Sequence, residues 1–427
     1  MPRPRILITG AGAVCASGMD PGAVLAAARE GRSAIGPIAQ WDTTGWPVRI
    51  AAEMPDFNPR ALVEDRKLHK LIRRSDMFGL YAGSQAIDAA GFMSARDGND
   101  AEAAGAFSDR SGLYVGSGGG AYMSQYEYFP LMSETGGSLN AFGRDLGNEV
   151  NPMWLLRTLP NNVLCHVGIR YGLKGANACI TNHSAGGTLA VIEAAEALRQ
   201  GEADRAVAIG HDAPIEPQML LYYHQCGLLA PDAIRPFDQR RSGSVFGEGA
   251  GALALETEDA AESRNAVALG EVLGGGYAAE GEGLLAIRED GDGLCRAITQ
   301  ALAEAGLAPA DIGMIVAHGN GTLLSDSSEA AALRGVFGTG DGAPPVTAFK
   351  WATGHLIAAA GIMETVIALA ALRERVVPGI ATLTELDPDC EGLRVSSSPQ
   401  VPRNDTALIL CRGFAGTNAA LIIRALQ

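Results

Sequence analysis

The order of apolar segments along the chain constrains its fold more than any other feature. Short runs with strand character, such as residues 205–210 and 249–256, alternate with longer segments of helical period, such as 76–90 and 185–200. Buried strands joined by helices pack into a sheet that helices cover on both faces. The alternation therefore predicts an α/β fold with largely parallel strands.

One polar stretch interrupts this alternation. Residues 256–265 read Glu-Thr-Glu-Asp-Ala-Ala-Glu-Ser-Arg-Asn, and strands and helices resume after them. A polar segment between two alternating regions is typical of a boundary. We therefore expect two halves, residues 1–258 and 259–427. The letters themselves show no self-similarity that would establish a duplication.

Charge and composition narrow the classes of function. The 427 residues carry a formal net charge of −15, whereas nucleic-acid binders need an excess of Lys and Arg, so we expect no nucleic-acid partner. The longest apolar run, residues 356–372, is interrupted by Glu364, so we expect no membrane span. The 7 cysteines are scattered without a C-x-x-C pair. This favours a reduced, cytoplasmic protein without disulfides or a metal site.

The start of the chain has part of a dinucleotide-binding pattern. Gly10 and Gly12 follow a short apolar strand, but Cys15 stands at the third position of G-x-G-x-x-G. In dinucleotide-binding folds that third glycine lets the helix pack closely on the strand. We therefore expect neither a nicotinamide nor a flavin cofactor.

Polar side chains at strand ends mark a candidate site. Ser184 stands where a strand near Thr181 turns into a helix, a position that suits a nucleophile or a helix N-cap. His318 directly follows a second strand, and Lys350 and His355 follow a third. A single His is usually structural, but strand ends of this kind meet at one edge of a sheet. We therefore expect both His to share one site.

A glycine-rich loop lies near the C-terminus. Arg412-Gly-Phe-Ala-Gly-Thr-Asn separates two apolar runs. Its glycines permit close backbone approach and positive φ. The loop is therefore suited to supply a backbone N–H to an oxyanion, and an ordinary turn between two strands is the alternative.

Taken together, these segments resemble the β-ketoacyl-acyl-carrier-protein synthases over essentially the whole chain. The resemblance rests, in chain order, on the strand-and-glycine start, the stretch Pro236-Phe-Asp-Gln-Arg-Arg-Ser-Gly-Ser-Val-Phe-Gly-Glu-Gly-Ala-Gly, His318-Gly, Lys350 with Gly354-His355, and Gly413-Phe-Ala-Gly-Thr-Asn. It implies a thiolase fold, in which two similar βαβαβ halves form five α/β/α/β/α layers. It also implies a homodimer, with a heterodimer containing a ketosynthase as the alternative.

The resemblance also assigns residues to the site. The family uses a Cys nucleophile with two His and a Lys, which match His318, His355 and Lys350. The backbone N–H groups of Ser184 and Phe414 would form the oxyanion hole, and the Phe414 ring would contact the substrate. The other positions implied around the site, as supporting or substrate-binding residues, are Glu329, Glu364, Asn320 and Thr322.

The nucleophile position departs from the family pattern. Ser184 replaces the Cys there, and Cys179 lies too early, inside the strand. A helix N-terminus readily makes a thiol into a thiolate, whereas a hydroxyl needs a positioned base. We therefore expect acyl transfer, and with it condensation, to be crippled. His183 replaces a small residue, and we interpret it as filling space, with a role as the base for Ser184 as the alternative.

Decarboxylation of a malonyl thioester needs no protein nucleophile. His318 and His355 would stabilise the enolate oxygen that forms as CO₂ leaves, and Lys350 would order the site. The enolate would then take up a proton and yield acetyl-carrier protein. This combination resembles the ketosynthase-like decarboxylases of polyketide β-branching cassettes. The alternatives are a Ser-dependent acyltransferase or condensing enzyme, and a non-catalytic subunit similar to a chain-length factor.

The partner that the resemblance implies is an acyl carrier protein, whose phosphopantetheine arm carries the substrate; no other cofactor is implied. Arg412 replaces a Phe of the family loop and either attracts the malonyl carboxylate or pairs with a surface acid. A basic run resembles the segment on which condensing enzymes dock the carrier protein, and a solvated helix face is the alternative. Its cations are Arg66, Lys67, Lys70, Arg73 and Arg74.

Overall fold

The computed structural model describes residues 3–55, 57–118 and 128–427. The strands are β1 Ile6–Cys15, β2 Gly36–Pro37, β3 Ile50–Ala51, β4 Ser111–Ser117, β5 Asn177–Ile180, β6 Arg205–Asp212, β7 Gly249–Thr257, β8 Gly270–Ala279, β9 Met314–Val316, β10 Val346–Thr347, β11 Thr406–Gly413 and β12 Thr417–Ala425. The α-helices are α1 Pro21–Arg29, α2 Pro59–Leu62, α3 Arg74–Ala90, α4 Phe92–Asp97, α5 Ala101–Asp109, α6 Phe129–Glu134, α7 Leu139–Glu149, α8 Trp154–Thr158, α9 Asn162–Tyr171, α10 Gly186–Arg199, α11 Pro217–Gln225, α12 Glu258–Ser263, α13 Asp292–Ala305, α14 Leu323–Phe337, α15 Lys350–Thr353 and α16 Ala360–Arg373.

One 10-stranded sheet runs through the molecule, in the order β10-β9-β11-β12-β8-β1-β7-β6-β4-β5. The five strands that precede residue 258 in the chain occupy one end of this order, and the five that follow it occupy the other. The two groups join where β1 pairs with β8, over a short register from Ile6 with Val272 to Ile8 with Gly270. The remaining strands, β2 and β3, pair only with each other.

The prediction of largely parallel strands is wrong. In the described sheet β9 runs parallel to β10 and β11, and β4 runs parallel to β5 and β6. The pairings around β1, β7, β8 and β12 in the middle of the sheet are antiparallel. The sequence pattern could not show this, because a strand buried on both faces is a continuous apolar run in either orientation.

Three clusters of buried apolar side chains lie between the helices and the strands and define the layers of the fold. The central cluster joins α10 and α16 to strands of both halves, so these two helices lie between the halves. The helices α3 and α9 pack on the outer face of the first half, and α13 and α14 pack on the outer face of the second. The order is helix, strand layer, helix, strand layer, helix, as in the thiolase-like α/β fold that the sequence predicts.

Glycines in β1 and β8 allow a helix to lie directly on each strand. A Cβ at Gly10 would lie 2.2 Å from the carbonyl oxygen of Ala86 in α3. A Cβ at Gly276 would lie 2.2 Å from the carbonyl oxygen of Ala297 in α13. The opening glycines are therefore explained by helix packing, and the same packing occurs once in each half.

Two further sequence expectations concern the chain as a whole. All 7 cysteines are unpaired, and Cys15, Cys390 and Cys411 are buried. Among the helices that the structure describes, none combines the length and the apolar character needed to cross a bilayer.

Candidate active site

Ser184 lies in the turn between β5 and α10. A 3₁₀ turn covers His183–Ala185, and α10 begins immediately after it, so Ser184 faces the positive end of that helix. Its side chain is fully buried. Ala185 is the N-cap residue of α10 and no side chain caps that end. The N-cap interpretation of Ser184 is therefore wrong.

His183 contacts Ser184 directly. Its Nδ1 lies 2.9 Å from Ser184 Oγ, and its Nε2 forms a hydrogen bond with the Tyr223 hydroxyl. Its ring stacks on Phe414, with centroids 4.4 Å apart. Burial lowers the pKa of His183 to about 4, so the ring is neutral at physiological pH. His183 therefore makes hydrogen bonds as well as filling space, and its role in the reaction stays a prediction.

Backbone N–H groups determine which nitrogen of the other two His carries the proton. His318 Nδ1 accepts a hydrogen bond of 3.2 Å from the backbone N–H of Arg412, and His355 Nδ1 accepts one of 3.2 Å from Ile357. Each neutral ring therefore carries its proton on Nε2. The two ring centroids are 5.3 Å apart, and His355 Nε2 lies 3.3 Å from Ser184 Oγ.

Burial keeps both of these rings neutral. The pKa of His318 and that of His355 lie well below the usual value, first because burial disfavours the charged ring and second because Lys350 is close. At physiological pH each ring is therefore a hydrogen-bond donor and not a cation. Both line the same cavity as Ser184.

Lys350 and two glutamates lie behind the His pair. Lys350 Nζ donates to Glu364 Oε1 at 2.6 Å and to the His318 carbonyl oxygen at 2.5 Å. Glu329 accepts from the backbone N–H of His318 at 2.7 Å and of Gly319 at 2.9 Å. Burial raises the pKa of Glu364 to about 7, and the charge of Lys350 acts against that shift. The geometry suits the supporting roles that the sequence predicts, which stay predictions.

The cavity itself is small, about 80 Å³. His183 and Ser184 from the first half line it together with His318, His355 and Phe414 from the second. The predicted site residues from both halves thus meet in one cavity.

Asn320 and Thr322 also line the cavity, but they are bound to each other. Asn320 Oδ1 accepts from the Thr322 backbone N–H at 3.0 Å and from its hydroxyl at 2.9 Å. This arrangement stabilises the loop after His318. Direct contact of either residue with a substrate stays a prediction.

The loop after β11 lies against the Ser184 turn. A Cβ at Gly413 would lie 3.3 Å from His183 Nδ1 and 3.4 Å from the backbone nitrogen of Ser184, so the two segments are in close contact. Two non-glycine residues of the site, His183 and Ile357, have positive φ values of 46° and 44°. Such strained backbone persists where the surrounding structure holds it, commonly at functional sites. The oxyanion hole at Ser184 and Phe414 stays a prediction.

Arg412 lines the cavity, but its guanidinium is bound by other groups of the protein. Its guanidinium donates to Asn418 Oδ1 at 2.9 Å, to the Ser325 carbonyl at 3.0 Å, and to Glu280 Oε1 at 2.8 Å. It also donates to Ser328 Oγ at 3.1 Å. Because its N–H groups are bound in this way, Arg412 has no pair of adjacent N–H groups left to bind both oxygens of a malonyl carboxylate. It pairs with an acid, as the alternative held, but that acid is buried.

The basic run divides into two groups. Arg74 is held by Glu248, with its Nε 2.9 Å from Glu248 Oε2, and Arg73 forms an ion pair of 3.5 Å with Asp76. These two cations are held at the start of α3 by acidic side chains of the protein, and their part in carrier-protein docking stays a prediction. The exposed cations of the run are Arg66, Lys67 and Lys70.

Tyr223 is the site residue that the sequence analysis missed. It lies in α11, is 5% exposed, and stacks on Phe414 with centroids 5.1 Å apart. A tyrosine within an apolar helical segment has the pattern of a core residue, and nothing in its neighbourhood indicates a contact with residue 183.

No group of three or more His, Cys, Asp or Glu suited to a metal ion occurs in the described ranges.

Comparison with known proteins gives consistent matches over the whole chain. The model of the beta-ketoacyl synthase N-terminal domain matches residues 3–261, and that of the C-terminal domain matches residues 269–384. Nodulation protein E of Rhizobium meliloti (strain 1021) is 32% identical, over 98% of this chain and 99% of that protein. The 3-oxoacyl-[acyl-carrier-protein] synthase 2 of Staphylococcus aureus (strain N315) is 31% identical over 98% of each. The solved structure of the ishigamide ketosynthase/chain length factor is similar with a TM-score of 0.87 and 28% identity, over 100% of both chains.

Proposed function

The chain belongs to the β-ketoacyl synthase family, and from that premise we propose that it decarboxylates a malonyl group carried by an acyl carrier protein. The product is acetyl-carrier protein, for use in a polyketide pathway. The protein would then catalyse the decarboxylation step of the condensing reaction but not the acyl-transfer step.

The observation that carries the proposal is the pair of fixed Nε2–H donors on His318 and His355. Loss of CO₂ breaks the bond between the carboxylate carbon and C2, and the electron pair moves into the thioester as an enolate. Two neutral donors aimed at one small cavity stabilise that oxygen anion without having to reorganise. Lys350 adds a positive charge behind them, 2.5 Å from the His318 carbonyl oxygen.

Ser184 accounts for the missing half of the reaction. A serine hydroxyl is not ionised near neutral pH, and even a helix N-terminus does not turn it into the equivalent of a thiolate. No acyl group then waits on the protein to trap the enolate. The enolate carbon takes a proton instead, and the acetyl thioester leaves on the carrier protein.

A Ser-dependent acyltransferase is the second candidate, and the contact of 2.9 Å between His183 Nδ1 and Ser184 Oγ favours it. The electrostatics oppose it. The pKa of His183 is lowered to about 4, which makes its ring a weak base at neutral pH. The Nε2 of His355 is already protonated and cannot accept the serine proton.

A non-catalytic subunit is the third candidate. One of the similar solved structures is a ketosynthase/chain length factor. Against this candidate, a purely structural subunit has no need for two His with fixed tautomers or for a buried Lys–Glu pair. We therefore propose an active protein that docks an acyl carrier protein and forms a homodimer, with a heterodimer as the alternative assembly.

Intact-mass analysis tests the proposal. Purified protein is incubated with malonyl-carrier protein in D₂O, and the carrier protein and residue 184 are both analysed by mass. Decarboxylation gives acetyl-carrier protein with one deuterium per acetyl group and leaves Ser184 unmodified. Ser184→Ala retains the cleavage of the bond to CO₂, because that step does not use the hydroxyl. The absence of acetyl-carrier protein would support the subunit, and an acyl adduct on Ser184 would support the acyltransferase.

A further inference from the structure

Ser184 Oγ lies between two imidazole nitrogens. His183 Nδ1 is 2.9 Å away and His355 Nε2 is 3.3 Å away. The backbone N–H of Ile357 holds His355 as a donor at Nε2. A hydroxyl oxygen accepts two hydrogen bonds and donates one. When His183 donates from Nδ1, the hydroxyl hydrogen of Ser184 is left to point into the cavity. The Nε2–H of His355 then turns from Ser184 to the oxygen of a bound thioester.

The contacts continue beyond His183. Its Nε2 is hydrogen-bonded to the hydroxyl of Tyr223, which also lines the cavity. Both rings pack on Phe414, with interplanar angles of 12° for His183 and 22° for Tyr223. Stacking of this kind restrains the orientation of both rings. An unbroken row of exchangeable hydrogens therefore runs from Tyr223 through His183 to Ser184.

We propose that Ser184 donates the proton that quenches the enolate, and that His183 and Tyr223 return a proton to it. The inference rests on the proposed decarboxylase function and deepens it, because it assigns the step that follows CO₂ loss. Ser184 is then the catalytic residue of that step, and the other two are positioning and relay residues.

Each turnover of the proposed relay consumes one proton. The Ser184 O–H bond breaks and a C–H bond forms at C2 of the enolate. Ser184 Oγ takes the Nδ1 proton of His183, His183 Nε2 takes the hydroxyl proton of Tyr223, and Tyr223 takes a proton from water. Before the next turnover the His183 ring returns to its Nδ1–H form by exchanging protons with water in the cavity. The sum is one malonyl thioester and one proton converted to one acetyl thioester and CO₂.

The burial of His183 fits this relay. A ring that loses a proton from Nδ1 while gaining one at Nε2 stays neutral throughout. A pKa lowered to about 4 therefore does not impede the relay, whereas it weakens a base that must become a cation. The exposed Leu284 and Leu285 line the same cavity as Tyr223, so that cavity is open to solvent.

The test measures how the enolate divides between protonation and recapture of CO₂. The full-length protein acts on malonyl-carrier protein in buffer with ¹³C-bicarbonate and carbonic anhydrase, and the remaining malonyl-carrier protein is analysed by intact mass. Loss of a positioned acid typically slows proton transfer about 10²–10⁴-fold. In Ser184→Ala the enolate then lives long enough to take back ¹³CO₂, and label enters the malonyl group while acetyl release falls.

Tyr223→Phe removes one oxygen at the far end of the row and is expected to give the same label at a lower level. Tyr222→Phe is the matched control, since that neighbouring tyrosine is 52% exposed, and it should behave as the wild type does, without label. A purely structural role for Ser184 would slow both processes together and give no label.

The outcomes separate the two proposals. If the wild type forms no acetyl-carrier protein, the decarboxylase proposal fails and the relay fails with it. If the wild type is active and Ser184→Ala forms acetyl-carrier protein without any ¹³C in the malonyl group, only the relay is overturned. Loss of both decarboxylation and label exchange in Ser184→Ala would also overturn it, because the donor acts after the C–C bond has broken.

Discussion

Arg412 and Glu280 form an ion pair in the interior, with Arg412 Nη2 2.8 Å from Glu280 Oε1 and side chains that are 5% and 1% exposed. The pair joins β11 to the segment that follows β8, and further bonds from the same guanidinium reach Asn418 and Ser325. Arg412 thus holds in place the strand end whose backbone N–H binds His318 Nδ1.

Replacing this arginine is expected to destabilise the fold. Arg412→Ala leaves the Glu280 carboxylate buried without its partner, and breaking a buried pair in this way costs about 3–5 kcal/mol. Urea denaturation measures the change. The control is Arg296→Ala, which breaks a half-exposed pair with Asp292 and should cost about 0–1 kcal/mol. Equal stabilities for the two variants would contradict the assignment.

His318→Ala tests the electrostatic part of the mechanism. Removing one of two donors to a developing oxyanion typically lowers the rate about 10²–10³-fold, so we expect acetyl-carrier protein to form that much more slowly. His224→Ala changes an exposed imidazole in α11 and should leave the rate unchanged. A His318→Ala protein with the wild-type rate would show that the enolate oxygen lies elsewhere.

Ser184→Cys tests the helix N-terminus. A thiol there should have its pKa lowered, so at pH 7 iodoacetamide should label it roughly tenfold faster than a cysteine away from a helix end. Ser244→Cys is the control, because Ser244 lines the same cavity without facing a helix N-terminus. Peptide mapping separates the label at residue 184 from that on the native cysteines, four of which are only partly buried. Equal labelling rates for the two variants would show that the N-terminus of α10 does not lower the pKa of a thiol at residue 184.

His211 predicts a pH dependence of stability. Burial lowers its pKa to about 4, and its Nε2 has no partner among the described residues. In the unfolded chain the ring takes up a proton near pH 6.5, so the folded state loses stability as the pH falls from about 6.5 to about 4. Between pH 7 and pH 5 the loss is about 2 kcal/mol. The loss between these two pH values should be about 2 kcal/mol smaller in His211→Gln than in the wild type, because the other buried His with lowered pKa values contribute equally to both proteins. Urea denaturation at both pH values measures it, and His224→Gln should match the wild type.

Reversal of the exposed cations tests the docking surface. Arg66→Glu, Lys67→Glu and Lys70→Glu combined should raise KM for malonyl-carrier protein about tenfold, at about 0.2–1 kcal/mol for each exposed pair. The value of kcat should not change, because these side chains lie on the surface outside the cavity. Lys174→Glu, at another exposed position, is the control. A KM unaffected by the triple reversal, or by added salt in the wild type, would place docking on another surface.

Local signals in the sequence predicted the elements well. The helix expected over residues 76–90 is α3, which ends at Gly91 with φ 68°, as a glycine after a helix allows. Ser184, His318, Lys350 and His355 were predicted from their places at strand ends. The structure brings Ser184, His318 and His355 into one cavity and places Lys350 next to it, bonded to the His318 carbonyl oxygen. Such positions follow from short-range pattern and from a general property of α/β sheets.

The errors concern contacts between residues far apart in the chain. Glu280 and Arg412 are 132 residues apart, and no local pattern indicates that one would neutralise the other. The direction of the central strands was predicted wrongly for a similar reason. A strand that is buried on both faces has no polar face, so its sequence does not show whether it pairs parallel or antiparallel. Arg74 belongs to a basic run, yet its partner Glu248 is 174 residues away.

The cavity is lined by residues from both halves of the chain, so each half alone contains only part of the site. Ser184 and His183 come from the half that precedes residue 258, and His318, Lys350 and His355 come from the half that follows it. Each half repeats the same strand-and-helix packing, yet neither has a complete set of reacting groups. Fragments cut between the halves would be inert when separate, and activity would return only on reassociation across α10 and α16.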